Sequence, residues 1–173
     1  DFSSPIRSSR AGTSRASTQG ADIVVVCYER DGGRRWLRRV ALAGAQETRA
    51  VALGRRGDVF VAASRTASGA SDRDILLVRL SPRGKVLWKA YYRRSGKEEY
   101  PIGLGLDSSG NAYVAGTRGT VTRREDFLLV KFSPAGKPLW KTSWDGGGSV
   151  DWCRAMRVTG RGTTYLTGQA AGT

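Results

Sequence analysis

Short apolar segments of strand length alternate with polar turns along the chain, and none of them shows helical spacing. The middle of the sequence displays four of them, at residues 75–80, 86–92, 102–106 and 112–115. The turns at 81–84 and 107–110 read Ser-Pro-Arg-Gly and Asp-Ser-Ser-Gly. Proline presets φ and glycine accepts positive φ, which tight turns between antiparallel strands require. The pattern predicts a unit of four antiparallel strands.

This four-strand unit recurs with a period of about 52 residues. Asp22, Asp74 and Asp126 each open an apolar strand, and a tryptophan follows each of them at the same interval. Those tryptophans are Trp36, Trp88 and Trp140. The repeats occupy residues 22–73, 74–125 and 126–173. We expect the tryptophans to pack between repeats, because a shared repeat position favours packing over carbohydrate stacking.

A four-stranded unit of this length, stacked radially, is typical of a β-propeller blade. A solenoid coil is usually shorter, and a β-sandwich would not repeat its sequence. The chain is therefore predicted to be all-β, a β-propeller built from three four-stranded repeats.

Residues 126–140 and 103–117 carry the most regular copies of the motif, Asp-Phe-Leu-Leu-Val-Lys with a later Trp, and Asp-Ser-Ser-Gly-Asn with Tyr-Val-Ala-Gly. They resemble the bacterial β-propeller repeat known as the SBBP repeat. The resemblance spans about residues 22–170. It implies the propeller fold and a secreted or surface-exposed bacterial protein, and it brings no catalytic residue with it.

The strand before Asp-Ser-Ser-Gly is expected to be the innermost strand, a, by analogy with six-bladed propellers. Its residues alternate between small and large; the small ones are Ala50, Ala52, Gly103, Gly105 and Ala155. The chain then reads c-d, a-b-c-d, a-b-c-d, a-b, which is two complete blades plus two complementary half-blades. Propellers have four to eight blades, so closure requires a second copy, giving a six-bladed dimer, or the missing blades of a longer chain.

Charge distinguishes this chain more than any other bulk property. The net charge is +14 and the pI is near 10.7, which favours acidic partners such as nucleic acid or anionic polysaccharide. Part of this charge is expected on the outer strands, at Arg35, Arg38, Lys89 and Lys141, where it would block edge-to-edge pairing. Residues 1–21 lack the apolar positions of the repeat and are predicted to form a disordered basic arm.

Several classes of chemistry are excluded. The chain has no histidine, which removes histidine triads and histidine metal sites. Cys27 and Cys153 have no metal-site spacing and are expected to be free thiols. No cofactor and no metal are predicted. No transmembrane segment is predicted either, since no apolar run approaches the roughly 20 residues that span a bilayer.

The loops between strands d and a are the predicted binding face. They contribute the candidate residues Glu98, Glu99, Asp145, Asp151 and Arg154. Paired carboxyls can perform glycosidase-type acid and base catalysis, and Asp145 and Asp151 can bind a cation. Solvated loop charges and an ordinary turn are the favoured interpretations.

The predicted function is a non-enzymatic scaffold or binding module for protein or polysaccharide partners, at the bacterial cell surface, in the periplasm or outside the cell. One alternative is a polyanion binder, for nucleic acid or an anionic glycan, that uses the basic surface. Another is a propeller hydrolase or lyase with carboxylates at the channel face.

Overall fold

The computed structural model describes residues 21–67, 72–94, 97–120, 126–147 and 150–170. These residues form twelve β-strands. They are β1 (Ile23–Tyr28), β2 (Arg34–Val40), β3 (Ala45–Leu53), β4 (Val59–Thr66), β5 (Arg73–Leu80), β6 (Val86–Tyr92), β7 (Lys97–Leu106), β8 (Ala112–Thr120), β9 (Asp126–Phe132), β10 (Pro138–Trp144), β11 (Asp151–Val158) and β12 (Thr164–Ala170). The described part of the chain contains no helix able to cross a membrane. All but the last residue of the predicted basic arm lie outside the described residues.

Four antiparallel sheets follow one another along the chain. Sheet I is β1–β2, sheet II is β3–β6, sheet III is β7–β10 and sheet IV is β11–β12. In sheets II and III each strand pairs with the next, so the order a-b-c-d is confirmed. The two half-units at the ends are also present. Among the described residues, no sheet closes on itself.

The sheets pack face to face in chain order, with one apolar cluster between each neighbouring pair. Strand β5 shows how the sequence achieves this. Ile75 and Leu77 point towards sheet III, whereas Leu76 and Val78 point towards sheet I. Successive side chains of a strand point to opposite faces, so a strand buried on both faces reads as a continuous apolar run.

The first strands of sheets II, III and IV lie next to one another, since β7 contacts both β3 and β11. Small residues permit this approach, as the sequence predicts. A Cβ atom added at Gly105 would lie 2.7 Å from Cγ2 of Val158. The close approach of the first strands therefore depends on small residues at these positions.

Gly105→Val is expected to lower the free energy of unfolding by about 2 kcal/mol, because the added methyls overpack the contact with the stiff Val158 side chain. Urea unfolding followed by tryptophan fluorescence measures this loss. Gly33→Ala is the control, since its Cβ would meet only the flexible Asp31 carboxylate at 3.1 Å. Equal stability of the two variants would contradict the close approach of the first strands.

Two of the repeated tryptophans pack against the turn of the following sheet, which confirms packing between repeats at these positions. Trp36 Nε1 donates to the Pro82 carbonyl at 3.0 Å, and Trp88 Nε1 donates to the Pro134 carbonyl at 3.2 Å. Trp140 has no following turn among the described residues and is 44% exposed. The basic side chains predicted on the outer strands are exposed.

Candidate functional site

Each first strand contains a β-bulge at the same repeat position. The register shifts between Thr48 and Ala50, between Pro101 and Gly103, and between Cys153 and Ala155. The bulged residues are Arg49, Ile102 and Arg154. A bulge leaves one residue unpaired and redirects its side chain, and here all three redirected residues line one cavity.

This bulge cavity has a volume of about 380 Å³. Its walls come from sheets II, III and IV, and the lining residues are Arg49, Tyr100, Ile102, Thr117, Trp152, Cys153 and Arg154. The site therefore exists because three sheets converge. It contains two guanidinium groups and two large aromatic rings.

Of the two arginines in the bulge cavity, Arg154 is the more available to a ligand. Its Nη2 donates to Oε1 of the neutral Gln169 at 3.1 Å, and its guanidinium lies 5.2 Å from the centre of the Trp152 ring. No carboxylate of the described residues pairs with it. Trp152 is itself 44% exposed. The pair presents an uncompensated positive charge beside an open aromatic face.

The opposite wall is more constrained. Arg49 Nη2 lies 2.6 Å from Oε1 of Glu47, whose other oxygen binds Arg73. The Arg73 guanidinium lies 5.1 Å from the centre of the Tyr100 ring, and the Tyr100 hydroxyl donates to Glu98. These contacts fix the aromatic ring and leave Arg49 only partly neutralised, since both arginines share one carboxylate.

A buried polar residue precedes the bulge in each first strand. Gln46, Glu99 and Asp151 are 4%, 0% and 1% exposed. Gln46 Nε2 donates to the carbonyls of Leu42 and Gly44, and Asp151 Oδ2 accepts from Gly146 N at 2.5 Å. In sheets II and IV this position therefore ties down the loop that leads into the strand.

Glu99 differs from its two counterparts because neither of its carboxyl oxygens has a hydrogen-bond partner in the part of the chain that the structure describes. Burial, the largest cause, and the neighbouring Asp74 charge raise its pKa from 4.5 to about 8 against the opposing effect of Arg118. Its surroundings therefore favour the protonated, uncharged form of the side chain.

The five predicted site residues do not converge on one site. Arg154 lines the bulge cavity, and Glu98 contacts it through Tyr100. Glu99 and Asp151 are sealed between sheets, which leaves them no surface for a ligand. Asp145 lies in the exposed loop after β10 and accepts from Gly147 N at 2.8 Å. Within the described ranges no group of three or more potential metal ligands occurs.

Sequence reasoning missed Arg49, Tyr100 and Trp152. Aligning the repeats would have found the two aromatic residues, because Trp152 occupies the same repeat position as Tyr100, three residues before the small residue of each of these first strands. The bulge gives no local sequence signal. Its position emerges only from the pairing register.

A second cavity of about 740 Å³ lies at the opposite end, among the turns after β3, β7, β9 and β11. Several of the polar groups in and around it bind one another. Arg79 pairs with Asp58 and donates to the Pro134 carbonyl. Burial acts to raise the pKa of Asp107, but hydrogen bonds from Asn111 and Tyr113 and the charge of Lys131 outweigh it and lower that pKa. We interpret these groups as structural.

A comparison with protein-family models found no match, and neither did a comparison with curated proteins. The resemblance to the SBBP repeat therefore stays a prediction.

Proposed function

We propose that this protein is a non-enzymatic β-propeller scaffold that binds an anionic polysaccharide in its bulge cavity, at the bacterial cell surface or outside the cell. The observation that carries the proposal is Arg154, stacked on Trp152 without a carboxylate partner. Sheets packed face to face, with their first strands together, support the propeller arrangement.

The residue types of the cavity match the chemistry of an acidic sugar. A guanidinium group binds a carboxylate or sulfate through parallel hydrogen bonds, and aromatic rings present an apolar face on which the C–H face of a sugar ring can stack. The volume of about 380 Å³ falls within the range of small-ligand pockets. It favours a few sugar rings over the large, flat contact of a protein partner.

The hydrolase alternative receives less support. Retaining and inverting glycosidases need two carboxyl groups that both reach the substrate. Glu99 and Asp151 are buried and do not line the cavity, and Glu98 accepts a hydrogen bond from Tyr100. The accessible chemistry is cationic and aromatic, which suits binding.

Arg154→Ala is expected to weaken binding of oligogalacturonate, a chain of uronic acids, by about 10-fold or more, because one charge-assisted contact contributes about 1.5–3 kcal/mol. Isothermal titration calorimetry measures the affinity. The matched control is Arg161→Ala, which removes the same charge from the exposed turn between β11 and β12.

Equal losses in the two variants would overturn the proposed site, because the net charge of +14 would then explain binding without the cavity. Neutral dextran should bind far more weakly than oligogalacturonate. Equally tight binding of duplex DNA at the same salt concentration would favour the general polyanion binder instead. Shortening of the oligosaccharide during incubation would favour the hydrolase.

A further inference from the structure

Sheet I exposes apolar residues on the face that points away from sheet II. Val24 is 45% exposed and Tyr28 is 64% exposed, whereas Leu76 and Leu80, at the same repeat positions in sheet II, are fully buried. The difference lies in the surroundings, because sheet II has a neighbour on this face and sheet I has none among the described residues. The exposed face has the composition of an interface.

The opposite end shows the complementary feature. Tyr165 of sheet IV is 65% exposed, whereas its counterpart Tyr113 is 2% exposed. The a strand of sheet II also lacks a neighbour on one side, where Val51 and Leu53 are 63% and 72% exposed. Each of these residues would be covered by one more sheet in the series.

The strand edges match as well. β1 is a c strand without its b strand, and β12 is a b strand without its c strand. The b and c strands of sheets II and III pair in one register, with Val61 opposite Val78 and Val114 opposite Val130. The same register places Leu166 of β12 opposite Val26 of β1.

We propose that two copies of this chain close on each other, with β12 of one copy pairing with β1 of the other along that register. Sheets IV and I would merge into one four-stranded sheet, twice, around a two-fold axis. The result is a ring of six sheets, and this step rests on the proposed propeller fold. The open edge of β12 offers the b strand that β1 lacks, in the register seen twice within the chain, which makes a second copy the matching occupant.

The tryptophan contacts add a second constraint. Trp140 would reach the β1–β2 turn of the second copy, as Trp36 and Trp88 reach the turns of the sheets that follow them. Its Nε1 would donate to the Arg30 carbonyl, and its ring would cover Gly32. A Cβ at Gly32 meets no atom of the described residues within 4 Å, whereas one at Gly136 would lie 3.0 Å from the Trp88 ring. The turn is therefore open where the proposal needs it.

Native mass spectrometry of the 173-residue chain should give twice the monomer mass of 18.7 kDa. Val24→Arg is expected to give monomers, because it places a charge in the proposed contact while Ile23 and Val25 still hold sheet I on sheet II. Leu37→Lys is the matched control and should stay dimeric, since the repeat carries Lys89 and Lys141 at this position. A monomeric natural chain would overturn the proposal.

Cross-linking tests the register without depending on Val24→Arg. Tyr165→Cys would lie opposite the natural Cys27, as Tyr113 lies opposite Lys131, and oxidation should give a disulfide-linked dimer. Leu166→Cys points to the other face and should not cross-link. A cross-link within one chain, or equal cross-linking of both variants, would contradict the register.

The two proposals fail separately. Oligogalacturonate binding by a monomeric chain would leave the proposed function standing and overturn ring closure. A dimer that cross-links in the expected register but binds no oligogalacturonate would support ring closure and overturn the proposed function.

Discussion

Replacing Glu99 by Gln is expected to raise the free energy of unfolding by several kcal/mol at about pH 9 and to leave it nearly unchanged at about pH 4. The pKa of Glu99 lies at about 8 in the folded chain, whereas its ordinary value is 4.5. Between these values the unfolded chain has released a proton that the folded chain still holds, so stability falls as pH rises. The amide cannot ionise and removes this loss. Urea unfolding of the natural protein and the variant at a series of pH values measures this difference in the free energy of unfolding.

The repeat supplies the evidence that an amide fits this position. Gln46 occupies the equivalent place in sheet II and is just as buried. The control is Glu98→Gln, the same chemical change at the neighbouring residue, which accepts a hydrogen bond from the Tyr100 hydroxyl; the change in pH dependence between pH 5 and 8 is expected for Glu99→Gln. A natural protein whose stability is constant over that range would contradict the burial of an ionisable Glu99.

Most of the fold could be predicted from the repeat, because local sequence features define its strands. Apolar segments of strand length, Pro-x-Gly turns and a regular spacing of tryptophans indicate the strands and their order. Each face of a middle strand is apolar, so burial on both sides could also be expected. The partner of the first and last sheets could not be predicted in this way, because the sequence of one repeat does not specify what packs against the end of the series.

The environment of Glu99 could not be predicted in the same way. The segment before residue 102 has two adjacent carboxylates and a lysine, which indicates a solvated loop. In the structure β7 begins at Lys97, and alternation along the strand turns Glu99 inwards between sheets. Burial here is imposed by the neighbouring sheet and opposes the local polarity of the sequence.

The bulge cavity escaped prediction for a related reason. Arg154 was identified as a candidate, but its role depends on a register shift that no residue type encodes. Arg49 reaches the same cavity from another sheet and is far away in sequence. The site forms only where residues from several repeats come together. The one sequence feature that indicates it is the shared repeat position of Tyr100 and Trp152.

Trp88→Ala is expected to lower the free energy of unfolding by about 3 kcal/mol, within the range for loss of a large packed aromatic side chain. The ring contacts Phe60 of its own sheet edge-on at 5.9 Å between centres and packs on the Pro134–Gly136 turn of the next sheet. Urea unfolding in the Val24→Arg background isolates the single chain from any effect of association.

Trp140→Ala is the matched comparison, because Trp140 makes the same edge-on contact with Tyr113 at 5.9 Å and differs from Trp88 in lacking the following turn. In the Val24→Arg background it should cost about 1 kcal/mol, the size of one aromatic pair. In the natural chain it should also weaken dimerisation, since it removes the ring proposed to cover Gly32 of the second copy. Equal losses for the two tryptophans in the monomeric background would mean that the turn contact contributes nothing, and the proposed closure would lose its second constraint.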